Sequence, residues 1–194
     1  MKKNIYYSLL ISAMVSVSVA EETRQVDKHE HGVGELNIAI EGNAIDFEFF
    51  IPGADIVGFE YEAKTESDIA LVNAALEKFG NFDNIFSLPE SSNCNLVNYE
   101  IGVNQDDDHD DHDDHDDHDE HDDHDDHDEE AHNEFVAHYS FNCENIKEID
   151  RISFPYFTNF PNSGELEVQF VSEKGSTGFE VEGDEPFIDL KGKI

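Results

Sequence analysis

Residues 35–53 read Glu-Leu-Asn-Ile-Ala-Ile-Glu-Gly-Asn-Ala-Ile-Asp-Phe-Glu-Phe-Phe-Ile-Pro-Gly, and this stretch decides the fold. Leu36, Ile38 and Ile40 alternate with Glu35, Asn37 and Glu41. A period of two puts the apolar set on one face of a strand and the polar set on the other. Ile45, Phe47, Phe49 and Ile51 repeat the pattern after Glu41-Gly42-Asn43, a turn sequence. Two alternating runs joined by so short a turn predict a β-hairpin with one buried face.

Pro52-Gly53 ends the hairpin, and residues 54–66 read as irregular, with Phe59 and Tyr61 anchoring a loop. Ser67 is the expected cap of a helix running to about Phe79, because Ile69, Val72, Leu76 and Phe79 share one helical face and Gly80 follows. Phe82 to Leu88 suggests a short second helix before Pro89.

Val97, Tyr99, Ile101 and Val103 alternate again, as do Phe135, Ala137, Tyr139 and Phe141. Their apolar faces match in an antiparallel pair whose residue numbers sum to 238. That register sets Cys143 opposite Asn95, one residue from Cys94, so a bulge or a strand end near Cys94 would let the two cysteines bond. An even cysteine count in an exported chain suggests one disulfide, the alternative being two unrelated buried thiols. Closing a loop of about 50 residues would stabilise the fold by about 4 kcal/mol on the chain-entropy model. Further strand candidates are 149–154, 166–170, 177–181 and 187–190. The expected fold class is mainly β: an antiparallel β-sandwich of seven or eight strands with one or two helices and a long disordered loop.

The chain of 194 residues opens with a segment of secretory type. Lys2 and Lys3 precede an uncharged apolar stretch from Ile5 to Val19, and Ser18-Val19-Ala20 carries small residues where a signal peptidase reads. Residues 1–20 are expected to be removed, leaving a single β-rich domain over 21–194 with a His/Asp-rich insertion at 104–133 and no membrane span. The expected location is the periplasm. The mature chain would hold nine bases against 47 acids, a net charge of −38. Such a field repels nucleic acid and gathers cations.

His109, His112, His115, His118, His121, His124 and His127 fall at a strict period of three, with two acids between neighbours. Residues 106–130 contain 18 acids, no base and no apolar residue, so the segment cannot bury a core. Neutral imidazole suits zinc, copper and nickel, and carboxylates complete a tetrahedral zinc site. Seven histidines can hold about two or three ions, each more weakly than a preformed site. The acidic surroundings favour imidazolium, so protons compete with metal and affinity is expected to fall steeply below neutrality. A calcium tract would need the glycine and bidentate glutamate of an EF-hand loop, which are missing, and calcium has no use for imidazole.

Four histidines lie outside the tract. His29 and His31 flank Glu30 before the first strand, and His132 and His138 bracket the start of the strand leaving the tract. His132, Glu134 and His138 share the face opposite Phe135, Ala137, Tyr139 and Phe141. If the N-terminal pair reaches that face, a structured site of two to four ligands results; otherwise these are surface histidines with no shared ligand. No Gly-rich phosphate loop, nucleophile elbow, HExxH or CxxC occurs, so no enzyme is expected.

Several stretches together resemble one family. His29-Glu30-His31-Gly32, Pro52-Gly53-Ala54-Asp55-Ile56-Val57-Gly58-Phe59-Glu60, the helix after it, Phe86-Ser87-Leu88-Pro89, Cys94, the His/Asp tract, His132-Asn133-Glu134-Phe135 and Cys143 follow in the order found in ZrgA-type zinc-uptake proteins. The resemblance implies a β-rich fold, several bound Zn²⁺ ions and delivery toward zinc import machinery of the cell envelope. Where the family often has histidine after Gly-Phe-Glu, this chain has Tyr61, so one structured site is weakened or absent if that histidine is a ligand elsewhere. Three functional readings follow. The first is a periplasmic zinc binder for uptake or storage. The second is a buffer or tolerance protein for zinc, copper or nickel. The third is a calcium-stabilised structural surface domain. A two-lobed zinc receptor of an ABC transporter is excluded by length.

Overall fold

In the computed structural model, which describes residues 32–105 and 133–194, β1 (Val33–Glu41) and β2 (Ala44–Pro52) form the predicted hairpin. Glu41 pairs with Ala44 across Gly42-Asn43, and Gly42 takes φ 59° at the first turn position, where a side chain would be strained. Leu36, Ile38, Ile45, Phe47, Phe49 and Ile51 are all buried, while Glu35, Ala39 and Glu48 are exposed. The period-two pattern therefore sorts the two faces as expected.

Strands β3 (Cys94–Gln105) and β4 (Asn133–Cys143) pair antiparallel. Asn98↔Ser140, Tyr99↔Tyr139, Ile101↔Ala137 and Val103↔Phe135 keep the register read from the apolar faces. The register shifts between Leu96 and Asn98, so Val97 bulges outward and Cys94 comes opposite Cys143. The two cysteines form a disulfide, and neither is a free thiol. The bulge is what converts a one-residue mismatch into a crosslink.

The remaining strands are β5 (Arg151–Ser153), β6 (Glu165–Ser172), β7 (Gly175–Glu182) and β8 (Phe187–Asp189). Six strands make one sheet in the order β3-β4-β2-β1-β6-β7, and β5 pairs with β8 separately. The chain is thus mainly β with eight described strands, as expected. Antiparallel pairing holds everywhere except between β1 and β6, which run parallel from Val33↔Glu165 to Ala39↔Val171. A parallel pair needs a long crossover, and here nearly the whole described chain lies between its two strands.

One face of the large sheet carries the core, and the layer covering it is composite. It is built from α2 (Glu66–Phe79), a 3₁₀ turn at Phe82–Asn84, the β5–β8 pair and α3 (Tyr156–Asn159). Aromatic rings join the layers. Phe86 stacks on Phe47 at 4.1 Å between centroids, and Phe79 stacks on Phe135 at 6.1 Å and on Phe160 at 5.0 Å. The buried Tyr139 hydroxyl donates to the Phe79 carbonyl at 2.7 Å, satisfying a carbonyl in the last turn of α2.

Four local expectations change. The helix is capped by Thr65, whose Oγ1 accepts the Asp68 N–H at 3.1 Å; Ser67 lies inside the first turn. Ile69 is 45 % exposed, because the helix meets the sheet through Ala75 and Phe79 further along, with Val72 and Leu76 partly covered. The expected helix over 82–88 is only the 3₁₀ turn, because Ser87 leaves it to bridge Ser153 and Phe86 turns into the core. Within the stretch read as irregular, Gly53–Val57 forms a one-turn helix, α1, which Gly58 ends at φ 85°.

Candidate metal centre

Most of the metal ligands expected from sequence fall outside the described residues: His29, His31, His109, His112, His115, His118, His121, His124, His127 and His132. The residues that border them are described, and they converge on one end of the large sheet.

Gly32, which follows His31, is held on both sides. Its N–H donates to Asp55 Oδ1 at 2.9 Å, and its carbonyl accepts the N–H groups of Gly164 at 2.9 Å and Glu165 at 2.8 Å. Gly32 adopts φ 89°, a conformation that favours glycine. The approach is close: a Cβ on Gly164 would stand 2.9 Å from the Gly32 oxygen.

Asn133, which follows His132, is tied to the same end. Its N–H donates to the Glu60 carbonyl at 2.8 Å, and its Nδ2 donates to the Tyr61 carbonyl at 3.1 Å. Asn133 is 3 % exposed, and its Oδ1 is buried with no hydrogen-bond partner among the described residues. It sits against Gly53, where any side chain would collide with it and with the Phe59 carbonyl. Phe59 and Tyr61 stack on each other at 4.6 Å, giving the loop the anchor expected of them, although Tyr61 stays 56 % exposed.

Asp55 is the buried carboxylate of this region, at 3 % exposure. Burial raises the pKa of the nearby Tyr156 phenol, the hydrogen bond to Ser163 acts the other way, and the Asp55 charge adds a smaller upward push. The Tyr156 hydroxyl and Ser163 Oγ stand 2.7 Å apart. Reading the residues singly missed Asp55, because alternation cannot mark an acid in a one-turn helix as buried. Its only signal was its place in the Pro-Gly-Ala-Asp stretch.

Glu134 and His138 lie on the opposite face of β4 from the core residues, as the alternation predicts, and both are half-buried. Four residues of strand separate them, about 14 Å. One ion cannot take both. Among the described residues, no three His, Cys, Asp or Glu side chains stand ready-assembled around a metal position. No helix of the described residues is long and apolar enough to cross a membrane.

The architecture defines a class: a mainly β domain with a disulfide-tied hairpin, in which Gly32 and Asn133, each next in sequence to a histidine, lie at one end of the sheet. Residues 28–190 match the model of the ZrgA family zinc uptake protein, and the chain belongs to that family. Comparison with curated proteins gives no match.

Proposed function

We propose that this chain is a periplasmic zinc binder that collects Zn²⁺ through the 109–127 histidines and holds it at the sheet end, in support of zinc uptake. The observation that carries this reading is the convergence of Gly32 and Asn133, each one peptide bond from a histidine, at the end of the sheet where Asp55 is buried. In this reading His29, His31 and His132 supply the imidazoles, and Glu134 and Asp55 the carboxylates, of a zinc site. The family supports zinc as the metal.

The two parts differ in character. The tract offers many equivalent donors and no apolar residue to bury, a composition that suits rapid, weak capture. The sheet end offers a frame tied by backbone hydrogen bonds on both bordering residues, so it suits tighter and more selective binding. The role is binding and release, with no catalytic step. Zinc import machinery of the cell envelope is the intended recipient.

Calorimetric zinc titration of the mature chain and of a form lacking residues 106–130 tests this division. The shortened form retains one tight ion, and H29A/H31A/H132A in that form abolishes it. Loss of all tight binding on removing the tract would refute the sheet-end site. Expression that rises in metal excess rather than in zinc starvation would favour the buffer or tolerance role.

A further inference from the structure

The open face of the large sheet carries a second set of metal-type donors, away from the sheet end. Glu100, His138, Glu48, Asn37 and Gln169 stand side by side on five successive strands, β3, β4, β2, β1 and β6. Asp46 lies two residues from Glu48 along β2, on the same face. Its Oδ1 accepts a hydrogen bond from Ser140 Oγ at 2.5 Å and stands 4.0 Å from His138 Nε2. Asp46, Glu48 and His138 line a concavity of about 370 Å³ on this face, together with the amides Asn37 and Gln169 and the apolar Ile38, Ala39 and Val171.

We infer that His138, Asp46 and Glu48 form a separate site for a divalent transition-metal ion. Two ligands at i and i+2 of one strand and a third on its neighbour fit the span of a single ion. Asp46 and Glu48 start about 7 Å apart along the strand, and His138 is directly opposite Glu48, where Cβ atoms stand about 5 Å apart. Zinc bonds of about 2.1 Å place tetrahedral ligand atoms about 3.4 Å from one another. The 4.0 Å between Nε2 and Oδ1 is within a fraction of an ångström of that separation. As they stand the three side chains do not enclose a metal position; Glu48 is exposed, so binding the ion requires it to turn its side chain, a change of surface rotamer. The Ser140 hydroxyl orients the Asp46 carboxylate in the manner of an outer-sphere donor. One imidazole and two carboxylates suit zinc, nickel or cobalt, whereas calcium would want six or more oxygens. The inference does not depend on the sheet-end site, because Glu134 at that end is about 14 Å along β4 from His138.

Amide NMR of the full ¹⁵N-labelled chain with nickel(II) tests it. Paramagnetic broadening is expected at 46–48 and 137–139, and zinc added in excess restores the signals. H138A and D46N each abolish that broadening, with the amide shifts of Phe135 and Phe141 unchanged as the check on folding. H138Q, which keeps the side chain's bulk and polarity, must lose it too. Broadening of 46–48 that persists in H138A, or no broadening there in the unaltered chain, would overturn the site. The readout is local, so absence of metal at the tract or at the sheet end leaves it legible.

Discussion

Replacing Cys94 and Cys143 together by alanine perturbs the element that closes the β3–β4 hairpin. The bridge spans a sequence separation of 49. For a closed loop of that length the chain-entropy relation gives about 14 cal/mol/K, or about 4 kcal/mol at 25 °C. A chain of this size shifts its melting temperature by roughly 2–4 °C per kcal/mol, so the double variant should melt roughly 8–16 °C lower. Circular dichroism melts in EDTA are the appropriate assay, because metal bound by the tract in both folded and unfolded chains would blur the comparison. The unaltered protein melted in reductant should coincide with the variant. A fall of less than about 3 °C would refute the loop-entropy argument and show that the pairing of β3 with β4 holds the hairpin without the bridge.

Other outcomes follow from single contacts. Gly53→Ala should cost about 3 kcal/mol in chemical denaturation and weaken tight zinc binding, because the new methyl displaces Asn133 and meets the Phe59 carbonyl at 2.7 Å. Tyr139→Phe should cost about 1–2 kcal/mol, since it leaves the Phe79 carbonyl in the core without its donor. Burial raises the pKa of both Tyr139 and Tyr156 above the ordinary tyrosine value. Unfolded tyrosines ionise near pH 10, so this stability is full below about pH 10 and is lost as pH rises beyond it, by up to about 1.4 kcal/mol per unit for each phenol. Tyr139→Phe should therefore reduce the steepness of alkaline unfolding, and an unchanged slope would contradict the assignment. Zinc affinity of the tract should fall as pH drops through and below neutrality, because protonated imidazole cannot ligate; calorimetry giving equal affinity at pH 7.5 and 5.5 would exclude the histidines as ligands.

Period-two alternation made the β1–β2 hairpin, the face of each residue on β4 and the β3–β4 register legible from sequence, since those depend on residues near in the chain or matched face to face. The bulge that joins Cys94 to Cys143 was legible for the same reason: a one-residue mismatch of cysteines in an otherwise matched register has few remedies. Histidine spacing is the whole basis for proposing metal chemistry at 109–127, because ligand type is a property of side chains and those residues lie outside the described ones. Only the tertiary structure decided that β6 runs parallel beside β1, since alternation specifies a face and never a neighbour. It alone buried Asp55, tied Gly32 and Asn133 to one sheet end, and put Asp46 and Glu48 within reach of His138. These are juxtapositions of residues 23 to 133 positions apart, set by how the sheet and its covering layer close on a common core, and no local pattern carries that information.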